Sequence, residues 1–128
     1  MGPRILLLDD EPAICEITSI LLNKLGYEPF VTSKGEEAID IYQEGLKVGR
    51  PIALAILDLS IPGGIGGHEV IAALRAMDPD VKALVSSGDA NDPAVMDPAG
   101  HGFVGVLMKP YNKAGLDAAI RSIIAFDS

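Results

Sequence analysis

Tryptophan is absent, cysteine occurs once, and aromatic residues make up only 5% of the 128-residue chain. A lone Cys15 cannot pair within the chain, so no disulfide framework holds the fold, and the expected setting is reduced and cytoplasmic. Cys15 falls in a helical apolar pattern and reads as a buried, inert thiol. Long hydrophobic runs are missing too. No stretch approaches the roughly 20 apolar residues of a membrane span, and Ile5 to Leu8 is too short for a signal-peptide core. Membrane contact by this domain is therefore not expected. Basic residues are scarce: 10 Lys and Arg face 18 Asp and Glu, for a formal charge of −8. They form no run or stripe, so nucleic-acid binding by this domain is not expected either. The same acidity suits a divalent cation or a basic partner surface.

What is present is ample apolar material. Hydrophobic residues are 48% of the chain, enough for the core of one domain over residues 1–128. Apolar runs at 4–8, 28–32, 52–57, 81–85 and 103–108 alternate with helical patterns. The first, third and fifth are continuous rather than alternating, as in strands covered on both faces of a parallel sheet. Ile14, Ile17, Leu21 and Leu25 share one helical face, with Gly26 as its stop. Ser33 to Glu36 fits the spacing of a capping box ahead of Ala38, Ile41 and Tyr42. Val70, Ile71, Leu74 and Met77 form a third stripe closed by Asp78-Pro79. Leu116, Ile120, Ile123 and Ile124 form the last, with Asn112 as its cap. Between residues 88 and 102, Pro93, Pro98, Gly100 and Gly102 leave room only for a short, irregular fourth helix. The expected fold class is α/β, a doubly wound five-stranded parallel sheet of order 2-1-3-4-5 flanked by five helices.

The strand ends carry the chemistry. The first run stops at Asp9-Asp10, the third at Asp58, the fourth at Ser86-Ser87 and the fifth at Lys109-Pro110. In an open parallel sheet these ends share one edge, where ligands bind at the topological switch point. The order 2-1-3-4-5 sets strands one and three side by side there, with Asp10 facing Asp58. Close carboxylates repel unless protonated or neutralised by a cation. Lys109 is one answer and a metal is another. An all-oxygen donor set suits Mg²⁺, whereas Zn²⁺ would want His or Cys, and neither His68 nor His101 has a ligand partner at suitable spacing. Such a cation, a carboxylate, a hydroxyl and an ammonium together suit phosphoryl transfer, with the carboxylate as acceptor. Taken singly, an Asp at a strand end is more often a helix cap, and Lys109-Pro110 or Ser87-Gly88 simply a turn. Their convergence on one edge is what favours a site.

Leu8-Asp9-Asp10-Glu11, Asp58 through Pro62, Ser87-Gly88 and Lys109-Pro110, each at its strand end, resemble the receiver domains of two-component response regulators over essentially the whole chain. The stretches 58–67, 85–88 and 91–93 are most similar to receivers of hybrid sensor histidine kinases. The resemblance implies a flavodoxin-like fold and a phosphoacceptor switch in a phosphorelay, with only self-phosphorylation and self-dephosphorylation as enzymatic activity. Asp58 would take a phosphoryl group from the phosphohistidine of a histidine kinase or histidine phosphotransfer domain. Mg²⁺ would be held by Asp10, Asp58 and the backbone carbonyl of Ser60, with Asp9 acting through water. Ser87 and Lys109 would stabilise the phosphoryl oxygens, and the bond before Pro110 would be cis. A homodimer is compatible with the family, as is tethering within a larger sensor kinase, since no output segment follows the last helix.

One departure stands out. Three residues before Lys109, where many receivers carry a Tyr or Phe that changes rotamer, this chain has Val106, which cannot swing a ring. The broken segment 88–102 is the expected substitute mover. The glycines of 63–67 read equally as backbone freedom beside the acceptor or as a tight turn. Asp89 sits where the family modulates dephosphorylation, although a plain surface acid is the simpler reading. Three rivals remain. A degenerate receiver acting only as an interaction module is disfavoured by retention of Asp10, Asp58, Ser87 and Lys109. A small phosphohydrolase is disfavoured because Asp9-Asp10 lacks Asp-x-Asp spacing and no cap is inserted. A flavin binder is disfavoured by the acids lining the crevice.

Overall fold

In the computed structural model, which describes residues 2–124, five strands form one sheet in the order β2-β1-β3-β4-β5. They are β1 (Arg4–Leu8), β2 (Glu28–Thr32), β3 (Leu54–Asp58), β4 (Ala83–Ser87) and β5 (Gly105–Met108). All four pairings are parallel. Helices α1 (Pro12–Lys24), α2 (Gly35–Lys47), α3 (Gly67–Met77), α4 (Pro93–Met96) and α5 (Lys113–Arg121) connect and cover them. Successive strand side chains point to opposite faces, which divides the core into two layers. Leu6, Leu8, Ala55 and Leu57 pack with Ala38 and Tyr42 of α2 and Val70 and Leu74 of α3. Ile5, Leu7, Leu54 and Ile56 pack with Leu22 of α1 and Leu116 and Ile120 of α5. Each of these fully buried Leu or Ile side chains contributes about 2 kcal/mol through its removal from water.

The fourth helix is as short as its prolines demand. Asp92 accepts the Ala94 N–H at its start, Pro93 supplies the first position, and after one turn the chain passes through a single 3₁₀ turn at Ala99–His101. Asn112 caps α5, as expected, by accepting the Gly115 N–H.

Four sequence expectations need correction. The strands β3, β4 and β5 begin two residues later than their apolar runs, because Ile52, Val81 and Phe103 are buried beneath the sheet rather than paired in it. The capping box at Ser33 does not form. Lys34 is the residue that opens α2 without a side-chain cap, Ser33 is exposed, and Thr32 Oγ1 takes the Lys34 N–H instead. On α1, Ile17 is 56% exposed, and Thr18 occupies the inward position beside Leu22. Finally, Ile123 and Ile124 lie past the end of α5, although both still pack on the second core layer.

Candidate functional site

Register does the first part of the assembly. Leu8 pairs with Leu57 across β1 and β3, so the chain leaving β1 at Asp9-Asp10 emerges level with Asp58. Carboxylate oxygens of Asp9, Asp10 and Asp58 lie within 4.8 Å of one another. Asp9 is fully buried and Asp58 is 6% exposed, while Asp10 is half-buried at the mouth. Lys109 enters from the end of β5, where its N–H donates to the Ser87 carbonyl and its bond to Pro110 is cis. Its ammonium spans two acids, with Nζ 2.8 Å from Asp9 Oδ2 and 3.1 Å from Asp58 Oδ2.

The other oxygens of these acids are held by backbone. Asp9 Oδ1 accepts the Glu11 N–H and Asp58 Oδ1 accepts the Ser60 N–H. Asp9 Oδ2 is buried and has the Lys109 ammonium, 2.8 Å away, as its ion-pair partner. Burial pushes the Asp58 carboxyl above the usual carboxylate range; the Ser60 N–H and the Lys109 ammonium oppose that rise without cancelling it, and Asp9 adds to it. Burial works against the charge on Lys109, yet hydrogen bonding and attraction from Asp9 and Asp58 outweigh it and raise its pKa. Three acids thus converge where one ammonium pairs with two of them. An oxygen-only donor set with an excess of negative charge fits a hard divalent cation such as Mg²⁺.

The loop into α3 shows why its glycines are needed. A Cβ at Gly66 would collide with the Leu59 carbonyl oxygen, and one at Gly67 would lie 3.0 Å from the Asp58 carbonyl oxygen. Only backbone fits there, so the start of α3 packs directly behind Asp58. Glu69 secures the turn by accepting the Gly66 N–H at 3.1 Å. This favours the tight-turn reading of residues 66 and 67.

Of the remaining expected residues, only Ser60 is joined to an acid, through its N–H. Ser87 Oγ accepts the Asp89 N–H at 3.0 Å, and Asp89, exposed, accepts the Asn91 N–H through Oδ1. Ser60 is exposed and touches Asp58 through its N–H. Val106 is half-buried, paired with Val85 and packed against the α2–α3 core layer. Sequence reasoning missed two supports behind the acids. Thr18 and Tyr111 hydroxyls meet at 2.8 Å, tying α1 to the segment after Lys109-Pro110. Cys15, expected to be buried, is half-buried; its Sγ donates to the Asp9 carbonyl at 3.1 Å, and burial, followed by the charges of Asp9 and Asp10, pushes the thiol up. A threonine at an inward helical position was the one available signal.

A family profile described as the response regulator receiver domain matches residues 5–121. The chain belongs to that family. As a receiver it is a signalling phosphoacceptor domain rather than an enzyme turning over a metabolite, and receivers bind Mg²⁺ in such an acidic pocket. The cell cycle response regulator CtrA of Brucella ovis is 31% identical over 121 residues, covering 94% of this chain and 50% of that protein. The chain thus spans about half the length of the curated relatives it matches. The response regulator TrrA of Thermotoga maritima, solved in complex with Mg²⁺ and BeF, is 30% identical with a TM-score of 0.79, over 95% of this receiver and 99% of that chain. Chemotaxis protein CheY4 of Vibrio cholerae superposes with a TM-score of 0.86 over 97% of this receiver and 100% of that chain. At 22% identity it speaks to the fold alone. Among the described residues, no helix of the receiver is long and apolar enough to cross a membrane.

Proposed function

We propose that Asp58 is the phosphoacceptor of this receiver, taking its phosphoryl group from the phosphohistidine of a histidine kinase or histidine phosphotransfer domain. The observation that carries this reading is the shared ammonium of Lys109 on Asp9 and Asp58. A carboxylate whose pKa is raised by burial is a better nucleophile than a surface acid, and Lys109 keeps its oxygen oriented. In the transfer, an Asp58 oxygen forms the new P–O bond as the P–N bond of the phosphohistidine breaks. Asp10, Asp58 and the Ser60 carbonyl would hold Mg²⁺, with Asp9 acting through water, and the ion would neutralise charge gathering on the phosphoryl oxygens. Lys109 exchanges Asp58 for the phosphoryl group afterwards, and Ser87 gives up its contact with Asp89 to donate to a phosphoryl oxygen. Asp89, one loop position further, then modulates the approach of hydrolytic water.

The outcome is a change in partner affinity in a cytoplasmic phosphorelay. With Val106 unable to swing a ring, the segment 88–102 is the element that responds; hydrogen exchange there should change on phosphorylation, and no change would reject it. The affiliation with receivers of hybrid sensor histidine kinases rests on the stretches at 58–67, 85–88 and 91–93, and homodimerisation accompanies phosphorylation only if the mass measured in solution doubles. Incubation with a phosphohistidine-bearing donor protein and Mg²⁺, followed by peptide mapping, tests the central assignment. Phosphate on the peptide that contains Asp58 supports it, and phosphate on any other residue overturns it.

A further inference from the structure

We propose that Thr18 and Tyr111 are positioning residues for phosphoryl transfer: their hydroxyls, 2.8 Å apart, hold Lys109 where its ammonium can span Asp9 and Asp58. The proposal rests on the assignment of Asp58 as phosphoacceptor and adds two residues that act through Lys109. Strand order shows why Lys109 needs such support. It leaves β5, whereas Asp58 ends β3, and β4 lies between them; Asp9 follows β1, one strand further still. At about 4.8 Å per strand, the β5 and β3 axes are about 10 Å apart. The ammonium works at the end of a long reach, so a small displacement of the backbone at Lys109 moves it off its two acids. That backbone is fixed on one side, where the Lys109 N–H donates to the Ser87 carbonyl at 2.9 Å. On the other side Pro110 has no N–H to give and is exposed, and α5 begins only after Asn112. The Tyr111 side chain supplies the tie in between.

The far end of the tie is firm. Thr18 is 1% exposed, and its hydroxyl turns to Tyr111 instead of bonding back to its own helix, the usual local alternative for threonine. Each hydroxyl thereby satisfies the other, and separating them would strand a buried polar group. Cys15, one turn earlier on α1, donates to the Asp9 carbonyl at 3.1 Å. One helix therefore holds the backbone of the buried acid through Cys15 and the segment that carries the ammonium through Thr18, and fixes the spacing between them. The Tyr111 ring packs on the second core layer, so its aromatic body is held by apolar contacts and its hydroxyl is left to make the tie. Phenylalanine at 111 would keep the packing and lose only the hydroxyl.

The test compares rates of phosphoryl uptake from a small acyl-phosphate donor at saturating Mg²⁺, followed by intact mass. Tyr111→Phe and Thr18→Val should each slow uptake about tenfold, and the double variant should be no slower than either, since both remove one tie. Thr18→Ser, which keeps the hydroxyl, should recover most of the rate. In a Lys109→Met background neither Tyr111→Phe nor Thr18→Val should slow the residual uptake further, an outcome that loss of stability alone would not produce. Unchanged rates in Tyr111→Phe and Thr18→Val, or the same slowing with and without Lys109, overturn the positioning role while leaving the phosphoacceptor assignment intact. Absence of uptake by the parent, or uptake indifferent to Lys109→Met, overturns that assignment and the proposal with it.

Discussion

Replacing Lys109 by Met keeps most of the aliphatic stem and removes the ammonium from between two acids. The structure sets the magnitude. The charge lies 2.8 Å from an oxygen of fully buried Asp9 and 3.1 Å from one of Asp58, whose side chain is 8% exposed. Stripping one partner from a buried pair costs about 3–5 kcal/mol, because it strands the other charge. The Lys109 side chain is 16% exposed, and each acid keeps one backbone N–H, so the lower end applies, about 3 kcal/mol. With a urea slope of about 2 kcal/mol/M for a domain of this size, the midpoint should fall by about 1.5 M. In the Asp58→Asn background only Asp9 is stranded, and the cost should shrink by about 1 kcal/mol. Saturating Mg²⁺ should restore about 2–3 kcal/mol by binding only the folded variant. Urea unfolding of the four proteins, with chelator and then with Mg²⁺, reads all three quantities. A Lys109→Met cost below about 0.5 kcal/mol, or the same cost with and without Asp58, would refute the shared-ammonium argument.

The acid site also fixes a sign. Folding raises the Asp58 pKa, so the folded protein holds that proton more tightly than the unfolded chain, and the associated stability is lost as pH rises from about 4 through the folded value. Asp58→Asn should therefore be more stable than the parent at neutral pH, which thermal or urea melts of the two proteins will show. Tyr42 donates to Asp78 at 2.6 Å, and burial, followed by that bond, pushes its phenol well above the usual tyrosine range. Tyr42→Phe should cost about 1.5 kcal/mol at neutral pH, and the parent should lose this advantage as pH climbs above about 10, which urea midpoints against pH will show. Gly67→Ala should destabilise by about 1–3 kcal/mol, because its Cβ would press on the Asp58 carbonyl oxygen; an unchanged melting temperature would contradict the close approach. Ile17→Ser should change stability by no more than about 0.5 kcal/mol, whereas Leu22→Ala should cost about 2–4 kcal/mol in the same unfolding assay.

Much of this architecture was legible because parallel strands are buried on both faces and announce themselves as unbroken apolar runs. The order of the strands and the convergence of Asp9, Asp10, Asp58 and Lys109 followed from handedness and from which residues close each run. Burial beneath the sheet looks the same as burial within it, which is why Ile52, Val81 and Phe103 extended the expected strands. Helical periodicity places a stripe only to within about one residue, so Ile17 and Thr18 exchanged roles, and Thr18 became intelligible only with its partner Tyr111, 93 residues away. Local hydrogen bonds decided the smaller matters: Thr32 displaced Ser33 at α2, and Ser87 turned to Asp89 rather than to the acids.

The central claim is that Asp58 receives a phosphoryl group with help from a divalent cation. Intact-mass measurement after incubation with a small acyl-phosphate donor, with Mg²⁺ and with chelator, tests it most directly. The expected result is a gain of one phosphoryl group by the parent that requires Mg²⁺ and disappears in Asp58→Asn. Uptake that persists in Asp58→Asn, or that is indifferent to Mg²⁺, would contradict the account.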